Sequence, residues 1–172
     1  MLLINWSRIV LVPAEQTRFA VYVHWPFCKA KCPYCDFNSF VPENTPDFFR
    51  WQSALLAELS HFAGLTPNRT VTSVFFGGGT PSLMPPELVA AVIRKIDDLW
   101  GLSDNAEITL EANPTSVEAG KFNEFKAAGV NRVSVGAQSL RDSDLHFFGR
   151  EHSVADALEA WDIARTAFER CS

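Results

Sequence analysis

The pattern of apolar residues changes period repeatedly along the chain, and this alternation predicts an α/β fold. Short apolar runs that are typical of strands occupy 19–24, 71–76, 107–112 and 130–135. Segments with helical spacing separate or follow them, at 45–64, 86–100, 115–129, 141–148 and 153–168. Strands that alternate with helices form right-handed βαβ units, so we expect a parallel sheet.

Start and stop signals define several of these helices. Thr45 is predicted to cap the first helix with Pro46 at its first position, and Gly64 is predicted to end it. The segment 115–118 reads as a capping box, and Ser153 is predicted to cap the last helix. The predicted apolar stripes are Trp51, Leu55, Leu59 and Phe62 in the first helix and Leu158, Trp161 and Phe168 in the last.

Composition narrows the class of protein. The chain has 172 residues, 47% of them hydrophobic, which suits one domain with a core of its own. Its net charge of −5 gives no support for a nucleic-acid partner. No apolar run is long enough for a transmembrane helix, and 1–16 lacks the features of a secretory signal. We therefore expect a cytoplasmic protein, with 1–18 as an N-terminal extension.

Three cysteines directly after the first predicted strand are the main candidates for chemistry. Cys28, Cys32 and Cys35 fit on one tight loop and can hold three corners of a cubane iron–sulfur cluster. Such clusters ordinarily take four cysteines, so three would leave one iron open. The loop therefore predicts a metal centre with a free coordination site.

Other interpretations of these cysteines are weaker. A structural zinc site needs four ligands, and the chain has no second cysteine pair. A disulfide would suit a secreted protein, and a redox pair of Cys32 and Cys35 would leave Cys28 unexplained. Buried structural cysteines are the remaining alternative, which such close spacing disfavours. Cys171 shows no partner pattern and reads as a lone thiol.

Unusual residues also follow the other predicted strands. A triple glycine, 77–79, follows the second strand, Glu111 lies late in the third, and Gln138 follows the fourth. Ligands of parallel sheets bind beyond the carboxyl ends of the strands. The sequence therefore places these residues and the cysteine loop at one ligand-binding edge.

The cysteine loop resembles the signature of the radical S-adenosylmethionine (SAM) superfamily. That signature is Cys-x-x-x-Cys-x-x-Cys with an aromatic residue before the last cysteine, the position that Tyr34 fills. The resemblance implies a [4Fe–4S] cluster on Cys28, Cys32 and Cys35, with SAM chelating the open iron. In this superfamily, reduction of the cluster cleaves SAM to a 5′-deoxyadenosyl radical.

The same resemblance assigns cofactor-binding roles along the chain. It implies that the glycine segment binds the SAM amino group, that Glu111 binds the ribose, and that Arg150 reaches the carboxylate. The cofactor-binding residues that it implies are Tyr22, Tyr34, Gly78, Gly79, Thr80, Glu111, Gln138 and Arg150. His24 and His152 have side chains that can act as ligands, but such histidines are more often ordinary polar residues, and His24 is assigned no role.

Within the superfamily, the chain resembles the group of oxygen-independent coproporphyrinogen III oxidases. True oxidases of this group carry a further cysteine two places after the last cluster cysteine, where this chain has Phe37. This difference favours the haem-chaperone (HemW) branch, which implies haem or porphyrin and an electron donor as partners of the full-length protein. A true coproporphyrinogen dehydrogenase and a non-functional truncated fragment are the alternatives, so enzymatic activity is left open.

The strand count predicts an incomplete core. The superfamily core is a partial (β/α) barrel of six strands, and the pattern gives about four, within 19–172. The chain therefore resembles the N-terminal part of a longer protein. No strand is predicted after the last helix, so the fourth strand is expected to be an unpaired edge that favours association.

Overall fold

Five parallel strands form one open sheet whose strand order follows the chain order. The computed structural model describes residues 18–115 and 119–172. The strands are β1 (Phe19–Trp25), β2 (Val71–Gly78), β3 (Leu102–Ala112), β4 (Arg132–Val135) and β5 (Arg170–Cys171). The predicted α/β class and parallel sheet are confirmed.

Helices connect the strands, as the apolar pattern predicted. The α-helices are α1 (Phe48–Leu65), α2 (Pro86–Trp100), α3 (Phe122–Ala127), α4 (Asp142–Phe147) and α5 (Val154–Ala167). A short 3₁₀ helix, Pro81–Leu83, follows β2. The bounds of α2 are those predicted, because prolines at its start and Gly101 at its end leave little freedom of placement.

The core lies between the helices and one face of the sheet. The side chains of α2 that are buried there are Leu88, Val89, Val92, Ile93 and Ile96. Phe76 of β2, Leu110 of β3 and the aromatic rings of Phe122 and Phe125 on α3 are fully buried in the same cluster. Burial of these apolar groups contributes most of the favourable free energy of folding and fixes the strand ends in space.

The fifth strand corrects the predicted strand count. Arg170 pairs with Arg132 and Cys171 with Val133, so β4 is not an unpaired edge. The buried Phe168 turns the chain back to the sheet immediately after α5. A two-residue strand is too short to show alternating hydrophobicity, which is why the pattern missed it. Cys171, predicted to be a lone thiol, is part of this strand and packs against the core.

The first helix begins and ends later than predicted. Asp47, not Thr45, is the N-cap, and its carboxylate accepts a hydrogen bond of 3.0 Å from the Arg50 N–H. Asp is as good an N-cap as Thr, so residue type alone does not decide between the two positions. Gly64 lies inside the helix, which continues to Leu65 and is capped at Thr66.

The last helix confirms its predicted cap but buries a different face. Ser153 and Asp156 form a capping box. The buried positions are the alanines Ala157, Ala160, Ala164 and Ala167. Leu158 and Trp161, predicted to face the core, are 52% and 39% exposed. Alanine side chains let the helix approach the sheet closely. The face that is buried here is therefore the one with the smallest side chains and not the one with the largest apolar side chains.

Other boundaries shift slightly. β3 begins at Leu102, which pairs with Val71, rather than at 107, and the pairing of β2 with β3 is irregular between Val71 and Ser73. β2 extends through two glycines to Gly78. Most of the predicted capping box at 115–118 lies outside the described residues. In the part of the chain that the structure describes, no helix has the length and hydropathy of a membrane span.

Candidate cofactor site

A cavity of about 410 Å³ opens at the carboxyl ends of the strands. It brings together most of the residues that the sequence singled out. Those in its lining are Cys28, Cys32, Tyr34, Cys35, Gly79, Thr80, Glu111, Gln138 and Arg150. Of the predicted cofactor-binding residues, Tyr22 and Gly78 do not line it, but both interact with Glu111.

The cysteine loop leaves the sheet after β1 and returns to it at Phe40. Its base is closed by two backbone hydrogen bonds, from Cys28 N–H to Phe40 O (3.0 Å) and from Phe40 N–H to Pro26 O (2.9 Å). All three cysteines are free thiols of intermediate burial. The loop thus presents three soft sulfur ligands to the cavity from a closed base.

An aromatic cluster supports the base of this loop. The rings of Trp25 and Phe27 lie 5.1 Å apart, and Phe27 makes edge contacts with Phe40 at 4.9 Å and with Trp51 of α1 at 5.1 Å. Trp25 and Phe27 are buried, so this packing holds the loop base by apolar contact. The first helix therefore positions the cysteines although it lies outside the cavity.

Lys31 ties the two arms of the loop together. Its ammonium donates hydrogen bonds to Phe37 O (2.9 Å), Ser39 O (3.0 Å) and Ser39 Oγ (2.8 Å). Sequence reasoning missed this residue, because an exposed lysine between two cysteines shows no pattern that separates it from Lys29.

The glycine turn after β2 packs directly on the end of β1. Gly79 N–H donates to Trp25 O at 2.6 Å, and Thr80 N–H donates to Phe27 O at 2.9 Å. A Cβ at Gly79 would lie 2.7 Å from the backbone oxygen of Phe27, closer than van der Waals contact allows. Gly78 has φ of +112°, which also favours glycine. Close backbone approach therefore explains these glycines even before a ligand is considered.

Glu111 lies at the end of β3 beside the glycine turn. Partial burial raises the pKa of its carboxyl group, and a hydrogen bond from the Gly78 backbone opposes that rise. Burial also raises the pKa of Tyr22, and the nearby Glu111 charge adds to the effect. Tyr22 stacks on Phe75 with the ring centroids 6.0 Å apart. Glu111 is thus a half-buried acceptor group in the cavity wall.

Arg150 links the cysteine loop to the sheet. One Nη donates to Asn113 Oδ1 (2.7 Å) and Gly136 O (3.1 Å), and the other lies 3.4 Å from Cys32 Sγ. Its Nε is buried without a hydrogen-bond partner in the part of the chain that the structure describes. The guanidinium therefore brings a positive charge to the cavity wall next to a thiol, while its Nε is enclosed by protein.

Asn113 is a second residue that sequence reasoning passed over. Besides accepting from Arg150, its amide donates to Thr80 Oγ1 at 3.4 Å. It thereby connects the glycine turn to Arg150 across the cavity. The residue stands in the segment after β3 that the sequence singled out, and only the absence of an ionisable group made it less conspicuous than Glu111.

The two remaining candidates, Tyr34 and Gln138, lie at the mouth of the cavity. Tyr34 packs edge-on against Phe148 at 5.2 Å. Burial raises the pKa of Tyr34, and the nearby Arg150 charge opposes that effect. Gln138 is exposed and has φ of +66°, a left-handed conformation that is uncommon outside glycine. Such strain is often found at functional sites.

The two histidines have structural hydrogen bonds, as expected. His24 Nε2 donates to Asn38 O (2.9 Å), and His152 Nε2 donates to Ala137 O (3.1 Å). Both bonds hold loops around the cavity in place, so neither nitrogen is a ligand while they persist.

The donor set fits a cluster better than a single metal ion. Within 18–115 and 119–172, no group of three His, Cys, Asp or Glu side chains is arranged to hold one ion. In a cubane cluster each thiolate binds a different iron, so the sulfurs stand farther apart than around one ion. The free thiols of the loop and the cationic Arg150 beside them fit a cluster with a polar cofactor next to it.

An open parallel α/β sheet with a cysteine loop and a glycine turn at its carboxyl edge is typical of a cofactor-binding α/β protein. The model of the Radical SAM superfamily matches residues 22–172. The chain therefore belongs to the radical SAM superfamily, which implies a [4Fe–4S] cluster and SAM.

Curated relatives refine this assignment. The chain is 46% identical to "Radical S-adenosyl methionine domain-containing protein 1, mitochondrial" of Bos taurus, with 91% of this chain and 35% of that protein covered. It is 41% identical to "Heme chaperone HemW" of Haemophilus influenzae, with 86% and 40% covered. The chain thus spans well under half the length of these relatives.

Solved structures agree on the fold. Coproporphyrinogen III oxidase (HemN) from Escherichia coli, a radical SAM enzyme, superposes with a TM-score of 0.78 at 27% identity. The match covers 88% of this chain and 35% of that one. The cobalamin-dependent enzyme OxsB superposes with a TM-score of 0.55 at 11% identity, covering 84% and 22%, and shows the fold alone.

Proposed function

We propose that Cys28, Cys32 and Cys35 hold the [4Fe–4S] cluster and that SAM binds in the same cavity at the iron without a cysteine. The observation that carries this proposal is the single cavity that the cysteine loop shares with the glycine turn, Glu111 and Arg150. When bound, the cluster and SAM supply one-electron chemistry that no amino-acid side chain provides.

The polar groups of the cavity match the polar groups of SAM. The proposed site for the amino group is the turn at Gly78, Gly79 and Thr80, of which Gly79 and Thr80 line the cavity. Glu111 is ionised above its raised pKa and can accept from both ribose hydroxyls. Gln138 stands at the cavity mouth as a further hydrogen-bonding group.

Arg150 is the proposed carboxylate ligand. A guanidinium binds a carboxylate through its N–H groups, and the Nη that lies beside Cys32 Sγ keeps a second N–H for this purpose. Its contacts to Asn113 and Gly136 fix the plane of the group. Tyr34 and Tyr22 complete the proposed set, the first beside Arg150 and the second beside Glu111.

For the whole protein, we propose a haem-chaperone role of the HemW type. The support is the likeness to two bacterial haem chaperones, at 41% and 38% identity, together with Phe37 where an oxidase has a cysteine. Haem or porphyrin and an electron donor are the proposed partners. In this proposal 1–18 is an extension and 19–172 is part of a larger radical SAM core.

We also propose that the protein works in the cytosol. Thiolate cluster ligands suit a reducing environment, which supports the cytosol. The relative from Bos taurus is named mitochondrial. Localisation of the tagged protein in its own cells separates the two compartments.

A second candidate is coproporphyrinogen oxidation. The structural likeness to the HemN enzyme favours it, whereas Phe37 opposes it. The two functions differ in a measurable way: an oxidase releases carbon dioxide from porphyrinogen propionates, and a chaperone binds haem and passes it on unchanged.

Anaerobic reconstitution tests the proposed function. The reconstituted protein should hold about four irons, as this cluster type requires. Addition of SAM should change the electron paramagnetic resonance (EPR) spectrum of the reduced cluster. Absence of iron would refute the cluster site, and an unchanged spectrum would refute SAM binding at it. Haem titration and a decarboxylation assay on the same protein with its downstream region then decide between chaperone and oxidase.

A further inference from the structure

Of the side-chain hydrogen bonds with both partners in the cysteine loop, 28–40, those of Lys31 span the most residues. Its three ammonium protons are matched by three acceptors, all on the arm that follows the last cysteine: Phe37 O, Ser39 O and Ser39 Oγ. The side chain is exposed, so only these bonds keep it from moving freely in solvent. Fixing a lysine side chain costs rotamer entropy, which charge-assisted hydrogen bonds can offset.

The backbone of the loop does not provide an equivalent tie. Between its closed ends, the described backbone bonds join Cys35 N–H to Cys32 O (3.1 Å) and Ser39 N–H to Phe37 O (2.7 Å). Both are local turns. Lys31 instead connects positions that are six and eight residues apart, and it spans both Cys32 and Cys35.

The tie also brings a positive charge next to a cluster ligand. Ser39 Oγ accepts from Lys31 at 2.8 Å and lies 4.0 Å from Cys35 Sγ. One hydroxyl therefore separates the ammonium from this sulfur. Net charge and hydrogen bonds near the sulfurs are among the factors that set the reduction potential of a cluster.

We propose that Lys31 is a positioning residue that holds the cysteine loop in its ligand-ready shape before the cluster enters, and that its charge raises the reduction potential of the cluster. The second half of the inference rests on the proposed cluster site. A loop that is already in shape loses less conformational entropy when it binds, which strengthens binding without new contacts.

The first test uses the protein without iron. Amide hydrogen exchange is compared between wild type, Lys31→Met and the control Lys29→Met. Lys29 is an exposed lysine of the same loop and forms no hydrogen bond between described residues. We expect exchange at Ser39 and neighbouring amides to become about tenfold faster in Lys31→Met, and to stay unchanged in Lys29→Met.

The second test uses the reconstituted protein. Lys31→Met should lose iron to a chelator about tenfold faster than wild type. The equilibrium constant for one-electron reduction of its cluster should fall about tenfold, which lowers the reduction potential by about 59 mV. Lys31→Arg should keep the potential because it keeps the charge. Ser39→Ala, which removes one acceptor and the link to Cys35, should show a smaller change in iron loss.

The outcomes separate this inference from the proposed function. Equal exchange in wild type and Lys31→Met would overturn the positioning role. Equal potentials in Lys31→Met and wild type would overturn the charge effect. A wild-type protein without iron would refute the cluster site instead, and the exchange comparison on the iron-free protein would still decide whether Lys31 holds the loop.

Discussion

The cysteine loop and the glycine turn face each other across the cavity, yet they are held in opposite ways. The cysteine loop is largely exposed, and the Lys31 side chain joins its arms. The turn from Gly77 to Thr80 is largely buried, and backbone hydrogen bonds of 2.6 and 2.9 Å fix it to the end of β1.

This difference assigns different tasks to the two segments. The turn is part of the folding core, so a change there should lower stability as well as binding. The loop lies outside the core, so its cysteines should be replaceable with little effect on stability and complete loss of the metal. Arg150 and Asn113 join the two segments across the cavity.

The largest expected effect is loss of the cluster from the loop. Cys28→Ala, Cys32→Ala and Cys35→Ala should each abolish iron retention after anaerobic reconstitution, because a cubane with two cysteine ligands is poorly held. Cys171→Ala is the control, since β5 lies away from the cavity lining. Iron and sulfide analysis measures the result.

The free energy of unfolding should distinguish the three cysteine variants from a variant in the glycine turn. The three cysteine variants should unfold in urea, without iron, close to wild type. Iron retention in Cys32→Ala would remove that residue from the ligand set. A large loss of stability in all three would show that the loop belongs to the folding core after all.

The corresponding change in the turn is Gly79→Ala. The added Cβ would lie 2.7 Å from Phe27 O and 2.9 Å from Pro26 O, both backbone atoms that cannot move aside alone. We expect the free energy of unfolding to fall by about 3 kcal/mol, the upper end of the usual cost of overpacking. Urea unfolding of the iron-free protein measures it, and a loss below the error of that method would show that the turn relaxes freely.

The sequence predicted the residues whose chemistry or conformational freedom is unusual. The spacing of the cysteines and the triple glycine needed no tertiary information, and they placed the cavity at the correct edge of the sheet. The exposed Leu158 and Trp161 could not be predicted in this way, because the close packing of an alanine face depends on the distance between helix and sheet.

The residues that connect the site were also out of reach of the sequence. Lys31 and Asn113 stand out only because of the groups to which they hydrogen-bond, and neither residue type is unusual in a loop. The two-residue strand β5 exists because β4 offers it an edge, which is a tertiary cause. Local patterns therefore single out candidate ligands more readily than the groups that position them.

Glu111 tests the comparison between the cysteine loop and the glycine turn from a third position, because it contacts the turn and lines the cavity. Glu111→Gln should weaken SAM binding by about 2 kcal/mol, the usual loss for charged hydrogen bonds. The control is Glu107→Gln on the same strand, whose carboxylate contacts Arg132 and Arg170 away from the cavity lining. Calorimetry on the reconstituted protein measures both, and equal affinities would exclude Glu111 from the site.

The raised pKa of Glu111 gives this prediction a pH dependence. Its pKa is higher in the folded than in the unfolded chain, so the stability contributed by the protonated form is present below the ordinary carboxyl pKa and is lost as pH rises through the raised pKa. SAM affinity should show the reverse trend and fall as pH falls through the raised pKa, because the ionised form is the acceptor. Glu111→Gln should flatten both profiles.

The smallest expected effect is at a glycine outside both segments. Gly64 lies within α1, and a Cβ there would have no heavy atom within 4 Å apart from its chain neighbours and the backbone of its own helix. Gly64→Ala should therefore raise the free energy of unfolding by about 0.5–1 kcal/mol, because alanine loses less conformational entropy in a helix. The same urea experiment as for Gly79→Ala measures it. Opposite signs at the two glycines would show that the turn is sensitive because of close backbone packing; destabilisation at both would show that any alanine in place of glycine disturbs this fold.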